Sequence, residues 1–155
     1  MNFEYVQVTD WYKHQPRKRA PVPWLRVGFF RPNNAENIIY GMALADTGAD
    51  INLITRSIGD NLGYNIRKGE SDNITGFGGG NSKGYHHQMG YIIEDPHKKE
   101  EPITYVGNVV IMEKDFPVSV PQQTAILGTY GFFNHVKATF EFPKVFSIQP
   151  LVKLN

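Results

Sequence analysis

The feature that most constrains this chain is an apolar run that ends on a charge. Residues 37–45 read as a strand whose last five, Gly41-Met42-Ala43-Leu44-Ala45, alternate small and aliphatic side chains, and the next three are Asp46-Thr47-Gly48. A carboxylate at the end of a buried strand is costly to desolvate, so it must be hydrogen-bonded, paired or protonated. Thr47 adds a hydroxyl that both donates and accepts, and Gly48 removes the Cβ that would keep another backbone at a distance. Asp-Thr-Gly is also ordinary turn chemistry. The tripeptide therefore leaves two readings open, a turn or a reagent.

The rest of the chain repeats one theme. Short runs rich in Val, Ile, Tyr and Phe alternate with Gly, Pro and Asn clusters, which predicts an all-β fold of strands joined by turns. Residues 24–30 and 37–45 read as paired strands around Arg31-Pro32-Asn33-Asn34. Thr55 is placed to cap a short helix through Leu62, with Gly63 as the left-handed residue that ends it. A glycine-rich stretch over residues 73–84 precedes strand-like residues 85–93 and 103–112, the pattern of a long hairpin. Ala125-Ile126-Leu127-Gly128 follows, with a helical turn expected over Gly131-Phe132-Phe133. Residues 137–142 and 145–148 read as strands around Pro143-Lys144, and alternation from Ala138 to Phe142 predicts one buried face.

At 155 residues one core is expected, and 41% apolar content, 20% charged content and a net charge of +1 demand no polyanionic or membrane partner. No cysteine is present, so disulfides, thiolate nucleophiles and cysteine-held metals are excluded. With no signal-like N-terminus and no long apolar run, a soluble, cytoplasmic protein is the expectation. Residues 1–23 are expected to form an N-terminal arm or extension, and residues 24–155 the domain itself.

With Leu44-Ala45-Asp46-Thr47-Gly48-Ala49-Asp50, the glycine-rich Gly76-Phe77-Gly78-Gly79-Gly80 and Ile126-Leu127-Gly128 in this order, the sequence resembles the retroviral-type (retropepsin-like) aspartic proteases from about Trp24 to Ile148. Residues 50–63 and 127–142 are also similar to the retroviral-type protease domains of cellular ubiquitin-shuttle proteins. The resemblance implies a closed acid-protease barrel with a flap hairpin and one or two short helices, acting as a homodimer on peptide or protein substrates. It implies no cofactor and no metal. Asp46 would be the catalytic acid and base, Thr47 and Gly48 would support the active site, and Gly48, Ala49, Asp50, Phe77, Gly78 and Gly79 would bind substrate. Ile126, Leu127 and Gly128 would back the active-site loop.

The family's chemistry needs two carboxylates sharing a proton, one acting as base on water and one as acid toward the peptide carbonyl. No second Asp-Thr-Gly or Asp-Ser-Gly occurs in the chain. A single chain therefore cannot supply the pair, and the second Asp46 would come from a partner copy. A catalytically silent dimeric peptide-binding module of the same fold is the alternative. One departure stands out: family members commonly carry an arginine after the glycine of the Ile126-Leu127-Gly128 motif, bracing the second aspartate, whereas Thr129-Tyr130 stand here.

Other motifs have plainer uses. Gly80-Asn81-Ser82-Lys83-Gly84 matches the serine-hydrolase elbow in letters, but that elbow needs a strand-to-helix turn and residues 85–93 read as strand. Adjacent His86 and His87 on a strand would face opposite sides, unsuited to one metal. Arg17-Lys18-Arg19 reads as a solvated arm, with no nucleic acid expected, and Phe132, Phe133, Phe140 and Phe142 as core or dimer-seam residues.

Overall fold

β-Branched and aromatic side chains fit a pleated, half-buried surface, and the runs rich in them become strands. The computed structural model describes residues 1–9, 19–75, 82–116 and 123–151. In chain order its strands are β1 (Asn2–Glu4), β2 (Val6–Thr9), β3 (Arg19–Val22), β4 (Trp24–Arg31), β5 (Asn34–Ala45), β6 (Leu53–Ile54), β7 (Ser71–Ile74), β8 (Ser82–Ile93), β9 (Ile103–Met112), β10 (Gln123–Leu127), β11 (Val136–Glu141) and β12 (Val145–Pro150). Helix α1 (Arg56–Asn61) and a single 3-10 turn at Ile66–Lys68 interrupt them. The all-β reading holds.

The main sheet runs β4-β5-β10-β6-β9-β8-β7, and β4 also pairs with β8 through Val27↔Ile93 to Phe30↔Gly90. The succession of pairings thus returns to the strand where it began. Inside lie Val27, Phe29, Met89, Tyr91, Ile93, Ile111 and Leu127, all essentially without solvent contact. A second sheet, β1-β12-β11, packs its Phe3, Phe146 and Ile148 into the same core. Within residues 1–23, Met1, Phe3 and Tyr5 are buried, while β2 and β3 pair with each other. No helix among the described residues is long and apolar enough to cross a membrane.

Three local expectations change. Thr55 precedes α1 as foreseen, but its hydroxyl does not cap the helix. It donates instead to Asp115 Oδ1 at 2.6 Å, and that same oxygen accepts the Ser57 N–H at 2.7 Å, so the cap comes from a distant segment. These two donors hold the Asp115 carboxyl below its usual range, against an opposing push from burial. Gly63 ends the helix region at φ +76°, as its position suggested.

After Gly128 the expected short helix is a run of turns over residues 131–135. Gly131 adopts φ +123° and its N–H donates to Asn134 Oδ1 at 3.0 Å, while the backbone bonds around it are of mixed span, from Phe133 N–H to Gly128 O and from Val136 N–H to Phe132 O, each at 3.2 Å. Finally, the inward alternation of β11 covers Val136, Ala138 and Phe140 but stops before Phe142, which sits in the β11–β12 turn and is 70% exposed. Its ring meets Tyr5 edge-on at 5.6 Å. Phe132 lies fully in the core, and Phe133 and Phe140 pack against it.

Candidate active site

Strand β5 delivers Asp46. Its last residues lie between β4, antiparallel, and β10, parallel, in the registers Trp24↔Leu44 and Leu127↔Ala45. The ladder continues one step beyond the strand: Ala45 N–H donates to Pro23 O and Asp46 N–H to Leu127 O, each at 3.0 Å. The backbone at Asp46 is thereby fixed from both sides.

The chain then turns sharply. Gly48 N–H donates to Asp46 Oδ1 at 2.9 Å, and Ala49 N–H to Asp46 O at 3.2 Å. This amide donor holds one carboxylate oxygen. The other oxygen has no partner among the described residues, and Asp46 is half-buried between exposed Thr47 and Gly48. Thr47 likewise makes no hydrogen bond within the described chain.

The second half of the loop returns along the far side of β10. Thr129 N–H donates to Ala49 O at 2.9 Å, Tyr130 N–H to Asp50 O at 2.8 Å, and Asn52 N–H to Tyr130 O at 3.3 Å. β6 then runs antiparallel to β10, with Ala125↔Ile54 and Ile126↔Leu53 in register. Strand β10 is thus threaded between the two strands that the Asp46 loop joins. The fit is tight at Gly128, where a Cβ would stand 2.7 Å from the carbonyl oxygens of both Ala49 and Ile51. Only glycine lets the two segments meet.

Of the residues singled out in the sequence, the structure brings together Asp46, Thr47, Gly48, Ala49, Asp50, Leu127 and Gly128. Ile126 points to the opposite face from Leu127. There it forms a separate apolar cluster with Leu53, Val110 and Met112, against which the half-buried Ala49, Ile51, Ile74 and Phe116 pack. Sequence reasoning did not single out this cluster beyond Ile126. Its signal was strand alternation, since Ile54, Ile111 and Leu127, one residue along, enter the main core.

Phe77, Gly78 and Gly79 lie outside the described residues. On either side of that segment β7 pairs with β8 from Ser71↔Tyr85 to Ile74↔Ser82. Ser82 and Gly84 open β8, so Ser82 is a strand residue and does not head a helix. His86 and His87 turn to separate partners, His86 to Asp72 Oδ2 at 3.2 Å and His87 to the Ile66 carbonyl at 2.8 Å. Lys13, His14, Arg17 and Lys18 lie outside the described residues.

Among the described residues no arginine braces Asp50, whose side chain is exposed and without a partner there. A buried asparagine that the sequence did not mark, Asn52, takes part in holding the loop: its Oδ1 accepts the Gly128 N–H at 2.8 Å. The amide lies beside the fully buried Tyr91 hydroxyl. Burial drives that phenol far above its ordinary pKa, and the neighbouring amide opposes the shift. The Tyr91 hydroxyl donates to Asn108 O at 3.3 Å.

Compared with known proteins, the chain matches no family model and no curated protein sequence. Among solved structures it is similar to a retropepsin-like aspartic protease from Rickettsia conorii, with 16% sequence identity, 78% of this chain and 80% of that chain covered, and a TM-score of 0.49.

Proposed function

We propose that the chain is an aspartic endopeptidase of the retropepsin type, working as a homodimer in which the Asp46 residues of two copies meet on a two-fold axis. The observation that carries this reading is the state of Asp46. It ends a buried strand, is held at the backbone by Leu127 and at one oxygen by Gly48, and keeps its second oxygen unpartnered among the described residues. The return of the strand pairings from β8 to β4 supports a closed barrel.

Two carboxylates brought to about 3 Å cannot both ionise, and one proton is shared between them. The ionised Asp46 takes a proton from a bound water, whose oxygen attacks the peptide carbonyl carbon. The protonated Asp46 of the other copy gives its proton to the carbonyl oxygen. Collapse of the tetrahedral intermediate breaks the C–N bond as the amine takes the proton that the first Asp46 accepted from water, while a hydroxyl proton of the intermediate returns to the second Asp46, releasing a carboxylic acid and an amine. Thr47 would brace the paired loops across the dimer.

Gly48, Ala49 and Asp50 would meet the substrate backbone, with Phe77, Gly78 and Gly79 closing over it as in strand addition. The test is hydrolysis of a mixed peptide library at mildly acidic and neutral pH by wild type and Asp46→Asn at matched dimer content. Cleavage by the first and none by the second is expected. Equal peptide binding with no cleavage by either would replace the enzyme with a peptide-binding module.

A further inference from the structure

Asn52 joins the Asp46 loop to β6 and is 1% exposed. Its backbone N–H donates to Tyr130 O at 3.3 Å, and its carbonyl accepts the Val110 N–H at 2.8 Å. Its side-chain oxygen accepts the Gly128 N–H at 2.8 Å. An amide N–H can only donate, so the atom facing Gly128 is the oxygen, and Nδ2 is left on the other side. Although the Tyr91 hydroxyl lies beside the amide, Nδ2 makes no well-formed hydrogen bond among the described residues. It faces the backbone of Gly131, where a Cβ would approach it to 2.7 Å.

Burying an amide with an idle donor is unfavourable, and an aliphatic side chain of similar size would avoid that cost. The bond to Gly128 is what such a side chain would lose. Gly128 follows Leu127, and the Leu127 carbonyl holds the Asp46 N–H at 3.0 Å. One residue therefore separates the Asn52 contact from the Asp46 contact.

We infer that Asn52 is a positioning residue for the Asp46 carboxylate, its side-chain oxygen fixing Gly128 and through it the Leu127 carbonyl that holds Asp46. The inference rests on the proteolytic reading of Asp46. It assigns to a buried neutral amide, in the first half of the loop, the alignment of the second half. Tyr130, bonded to Asn52 and Asp50, completes the link between the halves.

The experiment compares wild type, Asn52→Leu and Asn52→Asp in steady-state peptide cleavage from about pH 3 to about pH 8, at matched dimer content. Asn52→Leu should lose kcat about 100-fold, the scale of a misplacement near 1 Å, with KM little changed. A buried aspartate at 52 keeps an oxygen for Gly128 and is neutral in acid, with burial raising its pKa. Activity of Asn52→Asp should therefore approach wild type at low pH and fall as pH rises through that raised pKa.

A purely structural role would lower kcat only where the melting temperature of Asn52→Asp falls with it, whereas a positioning role lowers kcat at pH values where the variant is still fully folded. Wild-type kcat in both variants, or an Asn52→Asp profile parallel to that of Asn52→Leu, would overturn the inference. If Asn52→Leu does not fold, the Asn52→Asp profile against wild type decides alone. If wild type cleaves nothing, the proteolytic reading falls and the link is judged by amide exchange. Faster exchange at Gly128 and Asp46 in the Asn52 variants, with β8 and β9 unchanged, would uphold it, and unchanged exchange would sink it.

Discussion

Two aspartates follow apolar strands in this molecule, and the loops around them engage their oxygens to different extents. Asp95, just beyond β8, is buried, and both its oxygens are occupied: Oδ1 accepts the His97 N–H at 3.2 Å, and Oδ2 accepts those of Lys99 and Glu100 at 2.7 and 3.1 Å. Burial pushes its pKa up, but the three amides outweigh it and hold the carboxyl below the usual range. Asp46, just beyond β5, receives one amide, from Gly48, and stands half-exposed beside two exposed residues. A carboxylate whose oxygens are all engaged is a structural bolt. One with an oxygen to spare can hold a water and move a proton.

The largest test of that contrast exchanges each aspartate for its amide. Asp46→Asn should lower peptide hydrolysis by about 10³-fold or more while leaving thermal stability near wild type. Asp95→Asn should do the reverse, lowering the melting temperature while each folded dimer stays active. The pH dependence sharpens the second half. Because the folded Asp95 pKa is depressed, its contribution is present above about pH 4 and is lost as pH falls through the folded value. The stability gap between wild type and Asp95→Asn should therefore close in acid. A large stability loss in Asp46→Asn would erase the distinction between the two sites.

Next in size is Gly128→Ala. A Cβ between the Ala49 and Ile51 carbonyls must displace backbone, and the cost should be about 1–3 kcal/mol in urea unfolding. Activity should fall as well, since Gly128 connects to Asp46 through Leu127. Smaller is Asp115→Ala, which strips α1 of its remote cap and should cost about 1 kcal/mol without changing kcat. Smallest is Asp50→Ala, where an exposed, unpartnered side chain should matter to substrate alone. KM should rise a few-fold at unchanged kcat, and a fall in kcat instead would show that Asp50 helps to hold the Asp46 loop.

How much of this was legible depended on how local each cause was. The long strands could be read because alternation and β-branched runs are written residue by residue, and β9 falls on the expected residues 103–112. Gly63 was legible because a left-handed residue after a helix is a local demand. β1 was not, since Asn2–Glu4 is short and polar in alternation and becomes a strand only against β12. The cap on α1 was missed because its carboxylate, Asp115, is far away in sequence. Asn52 reads as turn chemistry beside an apolar run, and only its burial against Gly128 gives it a role. Asp46 and Asp95 look alike in sequence, each followed by turn-forming residues. The number of amides that reach each carboxylate is a property of the loop's path, which no short window contains.

The central claim is that two copies of Asp46 form one site. Wild type and Asp46→Asn, mixed and exchanged to random dimers at constant total concentration, test it most directly through peptide cleavage. If each active site needs an Asp46 from both chains, activity should follow the square of the wild-type fraction, about a quarter of full activity in an equal mixture. A linear decline, with about half remaining, would mean that each chain acts alone and would contradict the account.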